Sequence, residues 1–337
     1  MRILPLDPAD TEAVRACHDV HDAAMSADDP FEPPVSATLF LSRMSAGWSG
    51  SPAATWFVPG EAAGSMAAWC KLEFPDLENQ DRASMELVVR PERRRAGLGT
   101  ALLRHAAGSA AADGRVILDG GVQEGSSGEA FARRAGATLG HAGVRRVLDV
   151  ATVPAGTIAR LRETAAKAAA GYSIARWEGI VPDGRLDQVA SLQNAMNDAP
   201  RDAGVADQAW DAQRVRDRMN ARVARSPSRR YSLAAIHDTS GEMAALTTVS
   251  VDPALPGWGH QLITAVTRHH RGHRLGLLVK TAMMDWLKAA EPQLERIVTW
   301  NAAANKHMIA INEELGYQVW GRPYRSAELP VAAALDA

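Results

Sequence analysis

Residues 84–103 read SMELVVRPERRRAGLGTALL, and a second version of this stretch, LITAVTRHHRGHRLGLLVK, occupies residues 262–280. Each version runs from an apolar strand through a basic turn into the start of a helix. The first N–H groups of a helix lack intrahelical partners and lie at the positive end of the helix dipole, so they can hold a phosphate group. The chain therefore contains two predicted anion-binding turns, the first cradle (residues 93–100) and the second cradle (residues 270–277).

Glycines open the first cradle to a ligand. Gly97 and Gly99 let an anion approach the main chain where a Cβ would obstruct it, and the three arginines before them add positive charge. In the second cradle Arg271 and Gly276 match, but Arg274 stands where the first glycine is expected.

The first cradle resembles the acetyl-coenzyme A signature of the GCN5-related N-acetyltransferase (GNAT) superfamily, Arg/Gln-x-x-Gly-x-Gly/Ala after a Val-x-Pro strand end. Arg94, Gly97 and Gly99 match it. The resemblance implies that acetyl-CoA is the acyl donor and that backbone amides of the preceding strand bind its pantetheine arm. The coenzyme-binding residues implied in this way are Val88, Val89, Arg94, Arg95, Ala96, Gly97, Leu98, Gly99, Thr100, Val266, Arg271, Gly272, His273, Arg274, Gly276, Asn301 and Asn305.

The length and an internal duplication predict two domains. A chain of 337 residues can bury two ordinary cores. Three pairs of positions align at offsets of 177, 181 and 180 residues: Arg94 with Arg271, Gly120 with Asn301, and Gly136 with Gly316. We therefore expect an N-terminal domain at 1–152, a helical connector at 153–170 and a C-terminal domain at 171–337.

The expected fold class is α/β, with an α+β mixed sheet. The resemblance implies two tandem GNAT-like domains, each a central mixed, splayed β-sheet flanked by helices, in an arrangement similar to that of mycothiol synthases. Around the cradles the sequence predicts a strand at 84–89, a helix from Gly97 to near Gly114, and a closing pair of strands within 137–150. In the second half it predicts a strand at 262–268 and a helix at 275–290.

Glu86 is the predicted catalytic base. It lies two residues before Val88, so both side chains point to the same face of the strand. Loss of a proton from the attacking amine requires a nearby base, which a carboxylate supplies directly or through water. A solvated or arginine-paired glutamate is the alternative interpretation. The equivalent residue of the second half is Ile263, which cannot act as a base.

The proton donor to the leaving thiolate is left open by the sequence. Many GNAT members carry a tyrosine there, four residues before the glycine that ends the helix after strand five. Ala132 and Asn312 occupy these positions. Water, Tyr317, or no donor within the catalytic step are the alternatives.

Composition and charge bear on the partners. A net charge of −2 argues against a protein that coats nucleic acid. No apolar run is long enough for a membrane span, so we expect a cytoplasmic monomer or homodimer without membrane contact. The acid-rich loop 74–81 either faces the acceptor cleft, where it would favour a cationic small-molecule amine, or is solvated.

No metal is expected. Cys17 and Cys70 lack metal-ligand spacing and are predicted to be buried thiols. The histidines at 269, 270 and 273 are flanked by Arg268 and Arg271, whose charges would repel a cation.

Two other classes of function compete with this prediction. A dinucleotide fold requires a third glycine where Leu102 stands, and no phosphate-binding Gly-Lys-Ser/Thr motif occurs. The main alternative is a coenzyme A-binding regulatory or structural protein in which one or both domains are catalytically inactive.

Overall fold

The computed structural model describes residues 1–46, 50–200 and 202–337. The strands are β1 Leu4–Pro5, β2 Ala53–Pro59, β3 Met66–Glu73, β4 Arg82–Val89, β5 Ile117–Gln123, β6 Thr138–Asp149, β7 Tyr172–Glu178, β8 Arg229–His237, β9 Met243–Val251, β10 Trp258–Val266, β11 Arg296–Ala302, β12 Gln318–Val319 and β13 Tyr324–Pro330. The α-helices are α1 Thr11–Asp28, α2 Ala37–Ala46, α3 Leu98–Ala112, α4 Ser127–Arg134, α5 Thr157–Ala168, α6 Leu186–Ala195, α7 Ala212–Arg214, α8 Ala221–Arg225, α9 Leu275–Ala290, α10 Lys306–Leu315 and α11 Val331–Asp336.

Contacts divide the chain into two units. Unit 1 contains residues 1–144, the short segment 202–206 and residues 321–337, and unit 2 contains most of residues 145–320. Hydrogen bonds hold the short segment in unit 1: the Asp202 carboxylate accepts from the His141 N–H, and the Ala206 N–H donates to Asn79. Unit 2 therefore begins earlier than the predicted second domain, 171–337, and excludes residues 202–206 and 321–337.

The sheet of unit 1 has the strand order β1-β2-β3-β4-β5-β13-β6. β4 and β5 are parallel and paired only from Arg82–Ser84 to Ile117–Asp119, after which the paired register ends. β13 is antiparallel to β5 and β6 and lies between them. The sheet is thus mixed, and it opens between its two central parallel strands.

Helices cover both faces of the unit 1 sheet. α3 packs on one face in a core that includes Leu72, Leu102 and Leu118. α1 and α2 pack on the other face around Trp69 and Val88. Nearly every residue of β3 is buried, as is typical of a strand covered on both sides.

Unit 2 repeats this plan with the strand order β6-β11-β10-β9-β8-β7. α5 and α9 pack together on one face, and α6 covers the other. β10 and β11 are parallel and paired at only three positions before they diverge. The mixed sheets flanked by helices confirm the predicted fold class.

Three local predictions need correction. Residues 138–149 form one continuous strand rather than a pair, because β13 supplies the second strand of that part of the sheet. The strand predicted at 262–268 runs from Trp258 to Val266 and contains a bulge between Gln261 and Thr264. β13 itself was not predicted, since its partners lie about 180 to 200 residues earlier in the chain.

Within the described residues, no helix combines the length and apolarity needed to span a bilayer. Cys17 and Cys70 are both buried free thiols, as predicted. Burial raises the pKa of Cys17 to about 12, so this thiol stays protonated at neutral pH.

Candidate functional site

The two cradles share one backbone conformation. In the first cradle Arg95 and Gly97 have positive φ angles of 64° and 80°. In the second cradle Gly272 and Arg274, each 177 positions later, have φ angles of 90° and 53°. Arg274 therefore takes the left-handed conformation that the missing glycine would have taken.

Each cradle ends at a helix N-terminus. The Ala101 N–H donates to the Gly97 carbonyl at 3.0 Å, and the Leu278 N–H donates to the Arg274 carbonyl at the same distance. The N–H groups before these bonds, at Leu98 to Thr100 in the first cradle, form the positive end of the helix. Arg95, Ala96 and Gly97 are exposed beside them, which leaves room for an anion.

Arg94 anchors the first cradle. Its two terminal nitrogens donate to both carboxylate oxygens of Asp28 at 2.9 and 2.8 Å, and its Nε donates to the Val89 carbonyl at 3.2 Å. Asp28 is the last residue of α1. The Arg94 guanidinium thus links the turn to α1 and to the end of β4. Its hydrogen bonds stabilise the conformation of the loop.

Arg271 repeats this anchor in the second cradle. Its Nη2 donates to Asp198 at 2.7 Å and its Nε to the Val266 carbonyl at 3.4 Å. The Arg274 side chain forms an ion pair with Glu314 of α10.

The remaining cradle side chains differ in exposure and contacts. Arg93 pairs with the exposed Glu61 at 2.8 Å. Arg95 is exposed and has no ion pair within the part of the chain described. His273 is exposed and stacks at a tilt against Tyr172. Arg95 is accordingly the arginine of the first cradle best placed to meet an added anion.

The second glycine of each cradle faces apolar side chains. A Cβ at Gly99 would lie 3.4 Å from the Phe131 ring, and a Cβ at Gly276 would lie 3.2 Å from Ile311. The glycine is needed here for packing between the helix start and the following helix, α4 or α10. Gly97, by contrast, has no neighbour within 4 Å of its Cβ position and needs glycine for its backbone angle.

The open edge of β4 leads into the first cradle. The Arg90 N–H donates to Ala67 on β3, so alternation along the strand turns the Val88 amide toward β3 as well. The amides of Leu87 and Val89 face the opening toward β5. In unit 2 the Thr267 N–H donates to Ala244, which by the same alternation turns Val266 toward its opening. Leu87 was missed because only the ladder register reveals which amides are unpaired.

Glu86 lies on the α1 and α2 face of β4. Its side chain is exposed at the surface, and the loss of solvation among the surrounding protein atoms is the main cause of its raised pKa. Positive charges on His21, Lys71 and Arg43 lower the pKa in opposition, and Glu73 raises it. Val88 packs in the α1 and α2 core, so the structure places both residues on one face.

Tyr324 and Asp119 line the same region and were not predicted. Tyr324 is 39% exposed, and its hydroxyl occupies the space that a Cβ at Gly121 would fill. Burial and the charges of Glu86, Asp119 and Glu32 raise its pKa to about 12. Burial also raises the pKa of Asp119, whose Oδ1 accepts from Ser84 at 2.5 Å. The glycine pair at 120–121, which admits the tyrosine, was the one available sequence signal.

The acid-rich loop 74–81 is held elsewhere. Arg115 donates to the carbonyls of Pro75 and Gln80, and Asp81 lies 3.6 Å from Arg82. The carboxylates that act on the Tyr324 hydroxyl are instead those of Glu32 in the loop after α1, Glu86 on β4 and Asp119 on β5.

Unit 2 has an apolar side chain at the position where unit 1 has Glu86. Ile263, the counterpart of Glu86, is 9% exposed and belongs to the core beneath α6. On the other side a buried chain of hydrogen bonds runs from Lys280 Nζ to Asn312 at 2.7 Å and from Asn312 to Asn301 at 2.8 Å. Burial lowers the pKa of Lys280 to about 7. Asn305 caps α10 by accepting from the Met308 N–H.

Comparison with known proteins identifies the fold. The Acetyltransferase (GNAT) family model matches residues 18–136. A tandem GNAT protein from the clavulanic acid biosynthesis pathway is 26% identical, superposes with a TM-score of 0.77, and is matched over 98% of each chain. Residues 18–136 belong to the Acetyltransferase (GNAT) family, and the chain as a whole has the fold of a tandem GNAT protein. A GNAT protein from Sphaerobacter thermophilus, 17% identical, shares the fold with a TM-score of 0.64 over 98% of this chain and 95% of that one. No curated protein has a matching sequence.

The tandem GNAT arrangement thus confirms the predicted duplication. Ala132 on α4 and Asn312 on α10 occupy the positions where many GNAT members carry a tyrosine. The Asn312 side chain accepts a hydrogen bond from Lys280 and donates one to Asn301. Tyr317 is buried under the Lys280 ammonium, 4.7 Å from its ring centroid, and burial raises its pKa. Tyr317 therefore lies in the core of unit 2.

Proposed function

We propose that unit 1 is an N-acetyltransferase that transfers the acetyl group of acetyl-CoA to a primary amine of a small cationic molecule by direct attack. One observation carries this proposal: Glu86 lies exposed on β4, the strand whose open edge leads into the first cradle. A base, an unpaired strand edge and a helix N-terminus thus follow one another along 15 residues of chain, 86–100.

The coenzyme fits this surface on three grounds. The exposed turn at Arg95 to Gly97 and the start of α3 suit the phosphates. The Leu87 and Val89 amides suit the amide-bearing pantetheine arm, because the N–H group of each points into the opening between β4 and β5. When bound, acetyl-CoA supplies an acetyl group already activated as a thioester.

Glu86 accepts the proton that the ammonium form of the acceptor must lose. The nitrogen–carbon bond then forms as the carbon–sulfur bond breaks, and the second proton released by the nitrogen passes to the thiolate, which leaves as free coenzyme A. Tyr324 is a protic group close enough to Glu86 to feel its charge, and a pKa of about 12 keeps its hydroxyl protonated at neutral pH. We assign it the role of hydrogen-bond donor to the reacting groups.

The acceptor class follows from charge. Glu86, Asp119 and Glu32 all act electrostatically on the Tyr324 hydroxyl, so three carboxylates lie around one exposed tyrosine. Such a surface attracts a cation and disfavours an anion. A small-molecule primary amine that is cationic in solution is the expected substrate.

Unit 2 keeps the cradle backbone but has Ile263 in place of the base. We therefore assign it no acyl transfer. Its second cradle, through the Val266 amide and the start of α9, remains a proposed coenzyme site.

The test is a calorimetric titration with acetyl-CoA followed by an amine screen that detects free thiol release. We expect binding and amine-dependent thiol release. Binding without turnover across cationic amines would favour a coenzyme A-binding regulatory protein, and absence of binding would reject the proposal.

A further inference from the structure

A cluster of histidines and one glutamate lies at the entrance of the second cradle. Glu242 directly precedes β9, and His269 and His270 lie in the short 3-10 turn Arg268–His270 that follows β10. His269 Nε2 is 2.7 Å from Glu242 Oε1, and His270 Nε2 is 3.3 Å from Oε2. One ligand atom from each of the three residues lies within 4.8 Å of the others.

Tyr172 orients the buried member of this cluster. Its hydroxyl is 2.7 Å from His270 Nδ1, and its ring packs edge-on against the imidazole at 84°. With the Nδ1–H donated to the tyrosine oxygen, Nε2 keeps its lone pair on the side of Glu242. Metal-binding histidines commonly have their second nitrogen fixed in this way.

The neighbouring arginines do not oppose a cation here. Arg268 and Arg271 both direct Nη2 at the Asp198 carboxylate, each at 2.7 Å. Asp198 and Glu242 supply two negative charges against the two guanidinium charges, which weakens the electrostatic argument that the sequence raised against a metal.

We propose that Glu242, His269 and His270 bind one divalent transition-metal ion of the zinc class. Two imidazole nitrogens and one carboxylate oxygen are a donor set that zinc accepts, with a further position left for water. Ligand atoms around a tetrahedral zinc lie about 3.3 Å apart, and each imidazole Nε2 is already 2.7 or 3.3 Å from one of the two Glu242 oxygens, with all three ligand atoms within 4.8 Å of one another. His269 is exposed, which gives the ion a path of entry.

A bound ion would fasten the turn after β10 to the start of β9. Its expected effect is therefore to rigidify the second cradle, independently of acyl transfer in unit 1. The test needs no activity measurement.

The experiment titrates zinc chloride into the full chain, prepared without a histidine tag and freed of metal with a chelator. Calorimetry should give one site, and cobalt substitution should give the visible absorption of low-coordinate N/O-bound cobalt. Glu242→Gln and His270→Ala should each lower the affinity by about 100-fold or more, because loss of a ligand exceeds the ~10–100-fold effect of losing its supporting hydrogen bond. Tyr172→Phe, which keeps the ring packing, should lower it by about tenfold.

His273→Ala is the matched control, since His273 packs on Tyr172 but is not one of the three ligands. It should keep the original affinity. Zinc binding that is absent, or that falls equally in His273→Ala and His270→Ala, would overturn the proposal and leave the cluster as hydrogen-bonded histidine–glutamate pairs.

Discussion

Gly97 and Arg274 occupy the same place in the two cradles, and both are left-handed. Two positions earlier the choice is reversed, with Arg95 in the first cradle and Gly272 in the second. Each cradle therefore holds one glycine and one arginine in conformations that glycine alone adopts easily. A left-handed non-glycine residue costs about 1–2 kcal/mol, so the surrounding structure must impose this turn.

The anchoring arginines explain how the turn is imposed. Arg94 and Arg271 each donate to the carbonyl five residues earlier and to an aspartate near the C-terminal end of a helix, Asp28 at the end of α1 or Asp198 just after α6. The two units share these arginine hydrogen bonds, whereas the side chains around the cradles differ. Unit 1 keeps a solvated carboxylate at Glu86, and unit 2 fills the equivalent place with Ile263. The duplicated backbone therefore preserves the form of a site, and the chemistry depends on a few side chains.

The largest expected effect concerns the buried lysine of unit 2. Burial lowers the pKa of Lys280 from 10.5 to about 7, so the unfolded chain binds more protons than the folded chain between these values. Stability should rise with pH from about 7 to 10, by up to about 1.4 kcal/mol per pH unit, and this gain is lost below pH 7. Lys280→Met should flatten the dependence in urea unfolding. Lys288→Met, an exposed change on the same helix, should retain it; equal curves for all three proteins would contradict the pKa assignment.

In unit 1 the decisive change is Glu86→Gln. It keeps the size but removes the basic carboxylate, so kcat should fall by roughly 10²-fold with coenzyme affinity little altered. Because burial raises the pKa of Glu86, the original enzyme should lose activity as pH falls through a value above the usual glutamate range, and the variant should lack this limb.

Glu73→Gln is the control for that prediction. Glu73 raises the pKa of Glu86, so its removal should keep turnover and move the acidic limb to lower pH. Full turnover and an unchanged limb in Glu86→Gln would make Glu86 a structural residue and remove the main difference between the units.

The anchors should differ in strength. Arg94 and Asp28 are 23% and 21% exposed and bond at both oxygens, so Arg94→Ala should lower the free energy of unfolding by about 1.5–3 kcal/mol. Arg271 is 47% exposed and shares Asp198 with Arg268, so Arg271→Ala should have an effect of at most about 1 kcal/mol. Equal losses in urea unfolding would mean that the two cradles depend equally on their arginines.

The smallest effect is that of the left-handed positions. Gly97→Ala should destabilise the protein by about 1 kcal/mol, since the Cβ meets no atom but the backbone angle is strained. Arg95→Gly should relieve strain and stabilise the protein by about 1 kcal/mol or less. Thermal unfolding measures both; a stabilising Gly97→Ala would show that the turn relaxes away from its left-handed form.

Local features of the site followed from the sequence. The strand, basic turn and helix start of each cradle depend on neighbours within a few residues, as does the same-face relation of Glu86 and Val88. The tandem fold followed from two such units at a constant spacing. Arg94, by contrast, matched the signature without revealing its partner, because Asp28 is 66 residues away.

Tertiary structure alone decided which residues join Glu86 on its face of the unit 1 sheet. β13 enters the sheet between β5 and β6 from the far end of the chain and brings Tyr324 against Gly121. It likewise decided that Arg268 and Arg271 turn to Asp198, which leaves the neighbouring histidines to Glu242. The physical reason is the same in both cases. Periodicity and turn chemistry fix local conformation, whereas strand pairing and charge pairing between distant segments are chosen by the packing of the whole unit.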